Sequence, residues 1–124
     1  SLPVVSVWGS GSQLREFMHV DDVAAAALHV MDMEFEKFKT YAPVNQCFLN
    51  AGSGQEIEIG ALAHMIADIS GFRGKIEFDR SKMEGVKKKL LDSSALKGSG
   101  WSSSITLADG LREACSEYEK SFSN

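Results

Sequence analysis

Runs and alternations of apolar residues divide this chain into short strands and amphipathic helices. Val4, Val5, Val7 and Trp8 form a β-branched apolar run that predicts a strand over residues 4–8. Gly9-Ser10-Gly11-Ser12 reads as a turn. Arg15 to Val20 predicts a second strand, and Asp21 or Asp22 is expected to cap a helix running from Val23 to roughly Met33. Its Ala24–Ala27 run combines high helix propensity with small volume, which suits close packing. Ile59, Leu62, Ala63, Ile66 and Ile69 recur at helical spacing until Gly71. Lys75 to Asp79 predicts a further strand. Leu107, Leu111, Ala114, Cys115, Tyr118 and Phe122 stripe a last helix, opened by a variant capping box, Thr106 to Asp109.

Between these elements, Glu34 to Pro43 reads as a polar, exposed connection and Gln46 to Asn50 as a short strand before the Ala51–Gly54 turn. Residues 80–89 form a polar loop with Gly85 and four lysines, after which Leu90 and Leu91 are expected to return to the interior. The fold class is therefore α/β: one small mixed domain over residues 1–124, without internal repeats. The start reads as a strand entered in mid-course rather than a signal peptide, and the first and last strands are expected to pair with elements outside these residues.

Composition narrows the function classes. Of 124 residues 44% are hydrophobic and 24% charged, ordinary for a soluble globular domain. A net charge of −4 and a pI near 5.3 argue against nucleic-acid binding, which needs a basic footprint, but leave room for a local basic pocket. No apolar run reaches the ~20 residues of a membrane span. Cys47 and Cys115 lie far apart with no C-x-x-C, which reads as two free thiols and points to neither a disulfide framework nor a zinc site. Asp21-Asp22 is read as capping, and His29 and His64 have no ligand-spaced partner, so no metal site is expected. Neither glycine turn has the G-x-G-x-x-G pattern of a dinucleotide site, and there is no Tyr-x-x-x-Lys pair.

Several motifs together carry a resemblance. They are Val7-Trp8-Gly9-Ser10-Gly11, Arg15-Glu16-Phe17-Met18-His19-Val20-Asp21-Asp22, Asn50-Ala51-Gly52-Ser53-Gly54, Phe78 to Gly85, Lys89-Leu90-Leu91-Asp92 and Gly100-Trp101. In this set the chain resembles extended short-chain dehydrogenase/reductases, specifically the GDP-L-fucose synthase branch. Residues 81–85 and 89–92 are the most discriminating part; the Arg15–Asp22 motif is shared more widely. The resemblance implies the C-terminal, nucleotide-sugar-binding portion of an enzyme that epimerises GDP-4-keto-6-deoxy-D-mannose and reduces it with NADP(H). It implies a cytoplasmic homodimer whose N-terminal Rossmann domain binds the coenzyme and supplies catalysis. This portion would hold neither coenzyme nor catalytic residues and would be inactive alone.

The resemblance also implies four substrate-binding residues. Trp8 would be a flat wall for base or ribose. Arg15 would hold the diphosphate with its planar, multi-donor cation. Glu84, in place of the family's aspartate, would accept hydrogen bonds from ribose or guanine, and Lys89 would be a second phosphate contact. Met83, Val86, Lys87, Glu58 and Gly60 depart from the family's pattern. Without the resemblance, Arg15 reads as a strand-edge salt bridge, Trp8 as core packing and Lys87–Lys89 as solvated charge. Two alternatives stand beside this reading: a portion of an enzyme acting on another nucleotide sugar, and a stand-alone, non-catalytic binding module.

Overall fold

The computed structural model describes residues 2–42 and 44–122. Along the chain it forms β1 (Val4–Trp8), β2 (Leu14–Glu16), α1 (Val20–Met31), α2 (Phe35–Tyr41), β3 (Glu56–Glu58), α3 (Ile59–Ser70), β4 (Lys75–Asp79), α4 (Ser94–Gly98) and α5 (Leu107–Phe122). The mixed α/β class is as expected. The chain divides into two compact units: residues 1–15, 56–89 and 107–124 form one, and residues 16–55 and 90–106 the other.

In the first unit β1 and β4 pair in parallel over their full lengths, Val4 opposite Lys75 through to Trp8 opposite Asp79. The two strands thus pair with each other. The short β2 pairs with β3, which feeds directly into α3. Gly71 ends α3 in the left-handed conformation (φ 68°), which its lack of a side chain permits. Helices α3 and α5 pack together. The α5 stripe is only partly used: Tyr118 and Phe122 stack on each other, ring centroids 4.5 Å apart, and stay exposed. Val4 and Val5 are also about half exposed on β1, although parallel strands usually have both faces covered.

The second unit is built on α1 and α4. Ala26 (2% exposed) and Leu96 (1%) are the buried hydrophobic residues among those described. The small Ala26 is the position at which the alanine run meets the interior. Here the structure corrects several expectations. Helix α1 starts at Val20 and is capped by His19, whose Nδ1 accepts from the Asp21 N–H at 3.3 Å. Asp22 instead is buried in the first turn. The second strand is three residues long, Leu14–Glu16, and does not continue to Val20.

The connection from Glu34 contains α2; its i,i+3 pair Glu36–Lys39 (2.7 Å) and the Lys39 ammonium over the Phe35 ring support a helix in what reads as a polar segment. Pro43, the expected end of that connection, lies outside the described residues. Residues 46–50 are not a strand, since no described strand pairs with them. Cys47, Phe48 and Leu49 instead line an apolar cavity of about 380 Å³ with Val23, Val30 and Phe38. Leu90 and Leu91 do not enter the interior: they are 40% and 49% exposed. Both cysteines are free thiols, Cys47 exposed and Cys115 half-buried. No helix among the described residues is long and apolar enough to cross a membrane.

Candidate functional site

The first unit brings the loop of residues 80–89 against the segment of residues 8–15. β1 ends on Trp8, and the Gly9 N–H continues the ladder to the Asp79 carbonyl (2.9 Å). Gly9 then turns the chain with φ 84°, a left-handed conformation that favours glycine. The Gly60 N–H donates to the Gly11 carbonyl (2.8 Å), and the Phe78 ring packs into the notch that these two glycines leave open. Gly60, a departure from the family's pattern, thus leaves room for that ring. Further on, Leu14 N–H donates to the Lys87 carbonyl (2.9 Å) and Lys89 N–H to the Leu14 carbonyl (3.3 Å). The polar loop is therefore tied at both ends to the segment that begins with Trp8.

Each residue singled out from sequence lies on this frame. The Trp8 side chain is not core packing: it is 67% exposed, with the Lys82 ammonium 5.9 Å from its ring centroid. Arg15 is half-buried in β2 and donates through Nη1 to the Leu14 carbonyl at 2.6 Å. No described carboxylate lies within ion-pair distance of it, so the salt-bridge reading finds no partner among the described residues. Its guanidinium sits beside Gly85, where an added Cβ would lie 3.1 Å from Nη2.

Glu84 accepts the Ser10 N–H at 2.5 Å. Hydrogen bonds from the Ser10 side chain and backbone hold its carboxyl below the ordinary value; slight desolvation opposes them and nearby Arg80 assists. Lys89 is exposed and, like Arg15, has no ion-pair partner among the described residues. Lys88, by contrast, pairs with Glu56 at 2.8 Å. Adjacent loop residues, Glu84 and Gly85, thus touch Ser10 and Arg15 in turn, and Lys89 joins through Leu14. Gln13 is 6% exposed and its Oε1 has no partner among the described residues.

Two carboxylates that sequence reasoning passed over do structural work in the second unit. Glu16 accepts from the Gly54 N–H (2.5 Å), the Leu91 N–H (3.3 Å) and the Ser53 hydroxyl (3.5 Å). It can do so because Gly52 has no side chain: a Cβ there would lie 2.7 Å from both carboxylate oxygens. Asp22, 3% exposed, accepts from the Ser104 N–H and hydroxyl and the Ile105 N–H at 3.0–3.1 Å. Burial pushes its carboxyl up, but the hydrogen bonds from Ile105 and Ser104, with nearby His19, outweigh this and hold it below its ordinary value. Local sequence carries no sign of either role, because the partners lie up to 83 residues away. His29 Nε2 shares a hydrogen bond with the Ser99 hydroxyl (2.9 Å) and His64 packs near Phe78, so both imidazoles have structural neighbours. The described residues contain no group of three His, Cys, Asp or Glu side chains arranged to hold a metal.

The glycine turns do not fit a dinucleotide. A pyrophosphate cradle places a glycine turn at a helix N-terminus. Here Gly9–Gly11 leads into β2 and Gly52–Gly54 into β3. What the first unit does offer is an exposed aromatic face, a half-buried guanidinium, an exposed ammonium and an ionised carboxylate gathered around one turn and one loop.

The sequence model of the NAD dependent epimerase/dehydratase family matches residues 3–42. GDP-L-fucose synthase of Escherichia coli (strain K12) is 43% identical over 88% of this chain and 34% of its own length. GDP-L-fucose synthase 1 of Arabidopsis thaliana is 41% identical over 97% of this chain and 34% of its own length. Among solved structures, a GDP-mannoheptose C4 reductase from Campylobacter jejuni with NADP bound is 33% identical, with a TM-score of 0.78 over 94% of this chain and 35% of that one. The chain thus spans about a third of the length of the relatives that it matches. Residues 3–42 are similar to the NAD dependent epimerase/dehydratase family, and the chain is similar to GDP-L-fucose synthases over nearly its whole length.

Proposed function

We propose that this chain is the C-terminal, substrate-binding portion of a GDP-L-fucose synthase-like enzyme. The whole protein would epimerise GDP-4-keto-6-deoxy-D-mannose and reduce its 4-keto group with NADPH, as a cytoplasmic homodimer. The observation that carries this reading is the junction of the 80–89 loop with residues 8–15, which gathers Trp8, Arg15, Glu84 and Lys89. Trp8 offers the base or ribose a flat apolar face. Arg15 places several N–H donors on one rigid plane, a good match for phosphate oxygens, and Lys89 adds a second, flexible cation. Glu84, kept ionised, accepts hydrogen bonds from ribose hydroxyls or guanine N–H groups. NADP(H) supplies the reducing equivalent when bound; because the glycine turns here do not fit it, its site is assigned to the N-terminal Rossmann domain.

The test is turnover. The whole protein, given GDP-4-keto-6-deoxy-D-mannose and NADPH, should oxidise the coenzyme and form GDP-L-fucose, whereas residues 1–124 alone should not. Sugar-dependent oxidation by the isolated chain would show that it carries catalytic groups; none by the whole protein would refute the assignment.

A further inference from the structure

The Gly9–Ser10–Gly11 turn has the look of an anion site. Gly9 and Gly11 have φ of 84° and 77°, and turns that alternate in this way often aim backbone N–H groups at a phosphate. The Ser10 N–H, however, is already taken by the Glu84 carboxylate. Among the described residues, no residue other than Ser10 hydrogen-bonds that side chain. Its neighbour Met83 is 90% exposed, and the loop around it makes no apolar core. The seat is built for this occupant. The Ser10 hydroxyl is itself held by Ser12, with Oγ atoms 2.8 Å apart and the Ser12 N–H 3.3 Å from Ser10 Oγ. Gly9 lets two side chains close on it: a Cβ there would lie 2.7 Å from Gln13 Nε2 and 2.9 Å from Glu84 Cγ.

We propose that Gly9 and Ser10 are positioning residues that seat the Glu84 carboxylate, and that this seat makes the turn a receptor for uncharged hydrogen-bond donors of the ligand rather than for its phosphates. The inference rests on the nucleotide-sugar reading above. A carboxylate with one oxygen anchored keeps lone pairs free for hydroxyl or N–H groups, and it repels a phosphate brought to the same turn. The seat thus fits the division proposed above, with the nucleoside end at Glu84 and the diphosphate at Arg15 and Lys89.

Calorimetric titration of the whole protein with GDP and with inorganic pyrophosphate tests this. Glu84→Gln and Gly9→Ala should each weaken GDP about tenfold, the scale of one hydrogen bond to a charged group, without weakening pyrophosphate. Glu84→Gln changes an exposed side chain and guards against misfolding of Gly9→Ala. Ser10→Ala supplies a pH readout. Because Ser10 lowers the Glu84 pKa, GDP affinity holds above that lowered value and is lost as pH falls through it. Removing the hydroxyl raises the pKa, so the loss should begin at higher pH, with the pyrophosphate profile unmoved. Superimposable profiles, or pyrophosphate binding weakened by Glu84→Gln as much as GDP binding, would overturn the proposal. A wild type that binds pyrophosphate as tightly as GDP overturns the seat but leaves the Arg15 assignment standing. One that binds neither overturns both.

Discussion

Asp22 and Glu84 are both carboxylates held below their ordinary pKa by hydrogen bonds from serine hydroxyls and backbone N–H groups, yet they serve opposite ends. Asp22 is buried, and its two oxygens accept from Ser104 and Ile105. Those hydrogen bonds join the first turn of α1 to the segment before α5, and the carboxylate is spent on them. Glu84 is exposed, and its hydrogen bonds among the described residues come from Ser10 alone. Its remaining lone pairs face solvent. A lowered pKa thus marks an anchored carboxylate in both places, but burial and the number of partners decide whether it supports the fold or remains available to a ligand.

The contrast can be broken by substitution. Asp22→Ala leaves three partly buried donors without their acceptor and should destabilise the protein by about 3 kcal/mol, read as a lower urea midpoint with an unchanged slope. Glu84→Gln should leave the same midpoint in place. An equal loss from both would erase the distinction. Acid should sharpen it. The Asp22 contribution is complete above its unfolded value near 3.8 and is lost as pH falls through the lower folded one. Asp22→Asn should flatten that part of the stability profile, and an unchanged profile would refute the clasp. Trp8→Ala should alter stability by less than about 0.5 kcal/mol, as expected for an exposed side chain, while weakening GDP. A large stability loss would return Trp8 to core packing. The smallest effect expected is in thiol labelling: exposed Cys47 should react faster than half-buried Cys115. The reverse order would put Cys47 in a covered apolar cavity.

Elements with a strong period were legible in the sequence. β1, β4 and α3 follow from the valine run, the Lys75–Asp79 alternation and the apolar spacing closed by Gly71. Elements defined by distant partners were not. Residues 46–50 have strand-like composition, but a strand needs a neighbour, and their apolar side chains line a cavity instead. Helix α2 is short and charged, with its support in i,i+3 pairs rather than in an apolar stripe. Asp22 was read as a cap because the local signal for a cap and for a buried clasp is the same two acidic residues. Motif resemblance named the candidate site: Trp8, Arg15, Glu84 and Lys89 come from distant segments and meet on one frame. Ser10 and Gly85, which hold or accommodate two of them, lie within the resemblance motifs, but their small side chains carry no local sign of these roles.

The central claim is that Arg15 anchors a diphosphate, and calorimetric titration of the whole protein with GDP and with NADPH tests it most directly. Arg15→Ala should cost on the order of 1.5–3 kcal/mol of GDP binding, the range for a charged hydrogen bond. Arg15→Lys should fall between, since it keeps the charge and loses the planar fork. Gly85→Ala, which crowds the guanidinium, should cost less than either. NADPH affinity should not move in any of them. Unchanged GDP affinity in a folded Arg15→Ala protein would contradict the account and leave Arg15 as a structural residue of β2.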